Sequence, residues 1–128
     1  MRYLLDTQLV VWWMTESERM PKQVPALLAE QDSAAFVSRV SQWELAIKIS
    51  TGKMTLDLAR VCNQVVPDGF EWLEITSEHL FAVATMPLHA DHKDPFDRLL
   101  AAQSLTEPLI LLTTDPKLAR YGSTVRIV

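Results

Sequence analysis

Residues 109–115, with the sequence Leu-Ile-Leu-Leu-Thr-Thr-Asp, decide the fold class of this chain. An uninterrupted apolar run is typical of a strand buried on both faces of a parallel sheet, and here an aspartate follows it after two threonines. A second run, Tyr3–Leu5, ends directly at Asp6, and a third covers residues 34–37. Segments with helical spacing separate these runs. The pattern therefore predicts a single α/β domain over residues 1–128, with a parallel sheet covered by helices on both sides.

The remaining segments continue this alternation. We predict helices at residues 9–14, 20–30, 40–49, 56–66, 77–86 and 95–105, and strands at residues 3–5, 34–37, 71–75, 109–112 and 124–128. Ser77 is expected to cap the fifth helix. Val40, Trp43 and Ile47 fall on one face of the third helix.

The composition excludes several classes of protein. The chain has 128 residues, with 16 Asp and Glu against 12 Lys and Arg, and its formal charge of −4 disfavours a protein that coats nucleic acid or binds membrane surfaces through basic charge. Cys62 is the single cysteine, so no internal disulfide forms, and a reducing compartment is favoured. No apolar run reaches the roughly 18 residues of a membrane span. We therefore expect a cytoplasmic domain without a membrane partner.

Four acidic residues have informative positions. Asp6 and Asp115 follow two apolar strands, and ligands of parallel sheets bind beyond the carboxyl ends of the strands. Glu44 and Asp97 lie near the starts of two predicted helices. If the four side chains converge, their mutual repulsion is large unless a cation lies between them. Mg²⁺ and Mn²⁺ prefer such oxygen ligands, and a bound cation of this kind can support hydrolysis of a phosphodiester bond.

Each acid also has a purely structural explanation. Asp6, Asp94 and Asp115 suit the position before a helix, where a carboxylate accepts backbone N–H bonds. Ser41 with Glu44 matches a capping box. Taken singly, Glu44, Asp94 and Asp115 favour the structural explanation, whereas Asp6 and Asp97 suit both explanations about equally. Only the conjunction of the acids favours a metal site.

The sequence resembles the PIN-domain ribonucleases, and specifically the VapC-type toxins of VapBC toxin–antitoxin systems. The resemblance covers nearly the whole chain and rests on the order and spacing of four blocks, at residues 3–7, 38–48, 92–103 and 112–115. The third block contains the signature Asp-Pro-Phe-Asp-Arg at residues 94–98.

The resemblance implies a fold, a site and an activity. The fold is a PIN domain with about five parallel strands in the order 3-2-1-4-5. The catalytic and metal-binding acids are Asp6, Glu44, Asp97 and Asp115. They would hold one or two Mg²⁺ or Mn²⁺ ions in an endoribonuclease that cleaves tRNA or rRNA. Residues expected to support the site are Thr7, Lys48, Asp94 and a hydroxyl at Thr113 or Thr114. The implied partners are a VapB-like antitoxin and a second copy of the toxin, in a heterotetramer or a larger complex.

Basic residues near the four blocks are candidates for holding an RNA backbone. They are Arg39, Lys48, Lys53, Lys93, Arg98 and Lys117. Without the four proposed metal ligands, the acids and bases of the chain balance, so net charge alone does not exclude RNA. Trp12 and Trp13 make the first helix apolar on nearly all sides, which predicts either deep burial or cover by a partner.

Two alternatives remain at this level. A zinc enzyme could use His89, Asp91, His92 and Cys62, but the two histidines lie in a predicted loop without a recognisable ligand scaffold. A catalytically silent PIN-fold interaction module would use the acids only as helix caps.

Overall fold

The computed structural model describes residues 1–128 as one five-stranded parallel sheet with helices on both faces. The elements in chain order are β1 (Arg2–Leu5), α1 (Thr7–Met14), α2 (Gln23–Ala29), β2 (Ala34–Ser38), α3 (Arg39–Ser50), α4 (Leu58–Val65), β3 (Glu71–Leu73), α5 (Ser77–Thr85), α6 (Pro95–Thr106), β4 (Ile110–Thr113), a 3₁₀ helix (Pro116–Tyr121) and β5 (Val125–Ile127). The strand order is β3-β2-β1-β4-β5. The α/β class and the order 3-2-1-4-5 are thus confirmed. No helix combines the length and the apolar character that crossing a bilayer requires.

The central strands are apolar throughout because both of their faces are buried. In β1, Tyr3 and Leu5 pack against α1, α2 and α4, whereas Leu4 packs with residues of α3, α6 and the 3₁₀ helix. In β4, Leu112 and Leu111 divide between the same two layers. Each fully buried leucine contributes about 1.5–3 kcal/mol of transfer free energy, so these strands anchor both layers at once.

The order of the strands reverses beside β1, and this reversal positions the acidic residues. β1 and β4 are neighbours, with Leu5 opposite Leu112 in the parallel register. The backbone N–H of Asp6 donates to the carbonyl oxygen of Leu112 at 3.1 Å, so the two strands end at the same level. Asp6 and Thr113 therefore emerge side by side at the carboxyl edge of the sheet, the usual place for a ligand site in this architecture.

Two predicted helix caps are wrong by a few residues. Thr76, not Ser77, caps α5: its hydroxyl accepts from the N–H of His79, and the His79 ring accepts in return from the N–H of Thr76. Ser38, not the Ser41 capping box, caps α3 through the N–H of Val40. In both cases the cap is the last residue before the helix, because the helix begins directly after the preceding strand or loop.

The predicted apolar face of α3 is only partly correct. Val40 is buried, but Trp43 and Ile47 are 47% and 39% exposed. The buried side of this helix contains Ser41, Glu44 and Leu45 instead. A polar strip on the inner side of a helix is unusual, because buried polar groups need partners. It indicates that α3 faces a polar site.

The first helix is only half-buried at its carboxyl end. Trp12 and Trp13 pack on the edge of the core cluster that contains Leu9 and Val10. The Trp13 ring meets Phe70 edge to face at 5.2 Å between centroids. Of the two explanations offered for this helix, core packing accounts for one side of it, and the other side remains open to solvent.

Candidate metal centre

A cavity of about 290 Å³ lies at the carboxyl edge of the sheet, where β1 and β4 end. All four predicted acids line it: Asp6, Glu44, Asp97 and Asp115. The residues expected to support them also line it: Thr7, Lys48, Asp94 and Thr114. The fold therefore brings together side chains that are separated by more than 100 positions in the sequence.

The carboxylate of Asp6 is held in place by two hydrogen bonds. One carboxylate oxygen accepts the N–H of Leu9 at 2.8 Å and caps α1, while the other accepts the hydroxyl hydrogen of Thr113. The Thr113 oxygen in turn accepts the N–H of Asp115 at 3.1 Å. Burial raises the pKa of Asp6, and these hydrogen bonds oppose that rise. Of the two threonines considered, Thr113 is the one that fixes the acids to each other, and Thr114 only lines the cavity.

Glu44 brings a buried carboxylate from the inner face of α3. Its Oε2 accepts from Nζ of Lys48 at 2.8 Å, one helical turn away, and this bond raises the pKa of the lysine. Its Oε1 is buried and has no hydrogen-bond partner. A buried, unpaired carboxylate oxygen is costly, so its presence indicates that a cation or a water belongs beside it.

Asp94 and Asp97 approach the cavity from the start of α6. Asp94 is the helix cap, since one of its oxygens accepts the N–H groups of Phe96 and Asp97. Burial raises the pKa of Asp97 to about 6, and the charges of Asp94 and Glu44 add to the rise. The site thus holds more negative charge than its one lysine offsets.

One residue beside the four acids was considered in the sequence only for the zinc alternative. His92 lies in the loop before α6, is buried, and places Nε2 at 3.3 Å from Oδ2 of Asp97 and 3.9 Å from Oδ2 of Asp115. Its Nδ1 lies 2.7 Å from the hydroxyl of Tyr121. Its position at the start of the block that contains residues 94–98 was the signal available, but a single histidine in a polar loop is weak evidence.

The alternative zinc set is not assembled. Asp91 pairs with Arg120 on the surface, and Cys62 lies in α4. The His89 ring packs against Tyr121, and only His92 of this set reaches the acids.

The predicted RNA-binding residues separate into three groups. Arg98 does not fit its predicted role, because it is buried and donates to the carbonyl oxygens of Val83 and Pro87. Arg39 pairs with Glu74 and stacks on Trp72. Lys48 pairs with Glu44 in the same way. The remaining candidates are exposed and have no ion pair: Lys53, Lys93 and Lys117.

The donor set fits a hard divalent cation. It consists of carboxylate oxygens, one of them buried without a partner, around a small open cavity. In parallel α/β domains the reversal of strand order is the usual place of a ligand site, and this domain has its acidic cluster there.

The profile of the PIN domain family matches residues 3–123, and the chain belongs to this family. PIN domains are generally nucleases, and PIN nucleases typically use divalent metals. No curated protein matches the sequence at a significant level.

Several solved structures share the fold. VapBC2 from Rickettsia felis, bound to a DNA fragment from its promoter, superposes with a TM-score of 0.71 at 17% identity, over 100% of this chain and 98% of that chain. DNA-bound VapBC from Salmonella typhimurium gives 0.65 at 15% identity over 100% and 97%. VapBC-1 from nontypeable Haemophilus influenzae gives 0.63 at 16% identity over 94% and 92%. At these identities the similarity establishes the shared fold.

Proposed function

We propose that this PIN domain is a divalent-metal-dependent endoribonuclease that acts as the toxin of a toxin–antitoxin pair. The proposal rests on the unpaired oxygen of Glu44 and on the raised pKa of Asp97. The buried Oε1 of Glu44 has no partner, and the pKa of Asp97 is raised to about 6 in a cavity lined by further carboxylates. A cation between these groups removes both costs at once.

The silent interaction module explains less of the site. Asp6, Asp94 and Asp115 do cap helices, as that alternative expects. Glu44 and Asp97 cap nothing, and a protein that needed only caps would gain stability by replacing them. The presence of both carboxylates in one acidic cavity favours a functional site.

The residues that would hold one or two Mg²⁺ or Mn²⁺ ions are Asp6, Glu44, Asp97 and Asp115. Such an ion, when bound, lowers the pKa of a coordinated water and neutralises charge on a phosphate. Lys48 fixes Oε2 of Glu44, so Oε1 is left to accept a proton from a water in the cavity. Thr113 keeps Asp6 and the Asp115 segment at a constant separation.

The proposed substrate is single-stranded or looped RNA, such as an exposed region of tRNA or rRNA. A concave acidic cavity admits one phosphate of a flexible backbone more easily than a regular duplex. Lys53, Lys93 and Lys117 are exposed and free of ion pairs, so they are the first candidates for backbone contacts. Arg39 and Lys48 would contribute only if their present partners release them. Such a substrate places the activity in the cytoplasm.

The proposed partner is a VapB-like antitoxin, because the structures that share this fold are VapBC complexes. A groove of about 770 Å³ runs beside the half-buried end of α1, lined by Trp13, Met14, Leu56, Arg60 and Val61 among others. A chain that covers this groove would bury the open side of α1. We propose that the toxin pairs with itself and with the antitoxin in a heterotetramer or a larger assembly.

The decisive experiment is conditional expression of three forms of the protein, with mapping of new RNA 5′ ends in the same cells. The forms are the wild type, Asp6→Asn and Asp32→Asn. Asparagine is a good helix cap, so Asp6→Asn keeps the fold while it removes a charged ligand. Asp32 is an exposed acid in the turn before β2, at the opposite edge of the sheet, and its φ of 64° suits asparagine.

We expect growth arrest and new RNA ends with the wild type and with Asp32→Asn, and neither effect with Asp6→Asn. The purified wild type should lose RNase activity in excess EDTA and regain it with Mn²⁺. Full activity of purified Asp6→Asn, or activity that survives EDTA, would contradict the proposal.

A further inference from the structure

His92 is the one histidine that reaches the acidic cluster. Its Nε2 and one carboxylate oxygen each of Asp97 and Asp115 all lie within 4.8 Å of one another. The ring is buried, so water competes poorly for Nε2. Glu44 lines the same cavity as Asp97 and Asp115, and Lys48 contacts only its Oε2. Its buried Oε1 has no hydrogen-bond partner, which is an independent indication that a cation belongs beside these acids.

The orientation of the His92 ring is imposed from outside the cluster. Nδ1 lies 2.7 Å from the Tyr121 hydroxyl, and that hydroxyl lies 3.3 Å from the carbonyl oxygen of His92. Tyr121 ends the 3₁₀ helix, whose Arg120 pairs with Asp91 in the same loop. Two contacts therefore hold this loop against the 3₁₀ helix and aim Nε2 at the acids.

The hydrogen bonds around Tyr121 permit a free lone pair on Nε2. If Nδ1–H donates to the Tyr121 oxygen, the hydroxyl hydrogen can donate onward to the His92 carbonyl, and every group on that side is satisfied. In this tautomer Nε2 faces two carboxylates as an acceptor, an arrangement that is repulsive without a cation. In the other tautomer Nε2–H donates to Oδ2 of Asp97 at 3.3 Å and leaves no lone pair for a metal. The distances suit one: ligands about 2.1 Å from a metal lie about 3 Å apart at right angles and about 4.2 Å apart when opposite. The observed separations from Nε2 are 3.3 and 3.9 Å.

We propose that Nε2 of His92 is a ligand of the metal in this site, together with carboxylate oxygens of Asp97 and Asp115. The inference rests on the proposed metal site and specifies which cation the site prefers. An imidazole ligand favours transition metals, whereas Mg²⁺ favours oxygen ligands alone. The site is therefore selective for Mn²⁺ over Mg²⁺, and His92 is the residue that confers the selectivity.

The test is pulsed electron paramagnetic resonance of Mn²⁺ bound to the untagged protein, which reports nitrogen coupled to the metal directly. Wild type should show a ¹⁴N coupling, and growth with ¹⁵N-histidine should convert it to ¹⁵N. His89→Gln is the matched control, since His89 lies in the same loop and contacts no acid of the cluster. His79, the remaining histidine, is fully buried in a separate network with Glu107.

We expect His89→Gln to retain the coupling and His92→Gln to lose it. In titration calorimetry, His92→Gln should weaken Mn²⁺ binding by about 10- to 100-fold and Mg²⁺ binding by less than about 3-fold. If His92→Gln does not fold, the spectrum of the ¹⁵N-histidine wild type still decides the question.

The outcomes separate this inference from the proposed function. Mn²⁺ binding without a histidine coupling overturns the ligand role of His92 and leaves the nuclease proposal intact. A histidine coupling in a protein that cleaves no RNA supports the ligand role and overturns the nuclease. Absence of Mn²⁺ binding overturns both.

Discussion

Replacement of Asp97 by asparagine should stabilise the metal-free protein while it removes a ligand. Asp97 lies in the first turn of α6, and burial with the neighbouring charges of Asp94 and Glu44 raises its pKa to about 6 from 3.8. Because the folded state holds this proton more tightly than the unfolded state, the aspartate favours folding less as pH rises. Asparagine has no charge to bury, so it avoids this cost.

The size of the expected stabilisation follows from the raised pKa of Asp97. A change from 3.8 to about 6 corresponds to about 3 kcal/mol at 1.36 kcal/mol per unit, as an upper limit. The Asp97 side chain is 26% exposed, so solvent screening lowers this limit, and loss of a charge near the helix N-terminus offsets up to about 1 kcal/mol more. We expect a net gain of about 1–2 kcal/mol above pH 7. The gain should shrink as pH falls from 6 to 4, because the folded wild type then carries the proton.

The assay is urea unfolding in EDTA at a series of pH values between 4 and 7.5, with Asp32→Asn as the control for loss of a distant charge. In saturating Mn²⁺ the order should reverse, since the wild type gains about 2.7 kcal/mol at 100 times Kd and the variant gains less. An Asp97→Asn protein that is no more stable than wild type in EDTA at pH 7.5 would refute the account of the cluster as a strained site. So would a gain that does not depend on pH.

Three further substitutions test other parts of the structure. Thr113→Val removes the hydroxyl that links Asp6 to the backbone of Asp115, so it should lower the free energy of unfolding in urea by about 1–2 kcal/mol and the Mn²⁺ affinity by about tenfold. Thr113→Ser keeps the hydroxyl and should retain both. Unchanged affinity in the valine variant would show that the link is dispensable. Arg98→Met removes the two part-buried hydrogen bonds from the guanidinium to the carbonyl oxygens of Pro87 and Val83 and should lose about 1–3 kcal/mol of stability. Lys117→Met should keep its stability and lower the slope of log Kd for RNA against log salt concentration by about 0.7. The reverse pattern would restore Arg98 as an RNA contact. Trp13→Glu should lower stability in thermal unfolding by about 2–3 kcal/mol, because it removes the ring that packs against Phe70 and places a carboxylate near Asp68. A fully stable variant that fails only to bind the antitoxin would assign Trp13 to the interface instead.

Local patterns predicted the elements well where one physical requirement dominated. The apolar runs of β1 and β4 are buried on both faces, so no other structure suits them. Pro95 after Asp94 marks the start of α6 because proline at the first helical position and a carboxylate cap act together. These signals depend on neighbours within a few residues, so the amino-acid sequence contains all of the information that they require.

Predictions failed where several local solutions were equally good. Ser38 and Ser41 are both suitable caps for α3, and the choice depends on where β2 ends against its neighbours. Trp43 and Ile47 share a helical face, but α3 turns that face outward so that Glu44 can enter the cavity. The spacing of apolar residues alone does not predict which face of a helix will line a polar cavity.

The sequence by itself determined the class of this protein, because alternating buried strands and helices admit only a covered parallel sheet, and because the acids stand at strand ends and helix starts. Only the tertiary structure decided the membership of the site. In the structure Arg98 is buried, Thr113 links Asp6 to Asp115, and His92 lies beside Asp97. The contact of Thr113 with Asp6 joins residues 107 positions apart, and that of Tyr121 with His92 joins residues 29 positions apart, so both follow from the tertiary arrangement rather than from any local pattern.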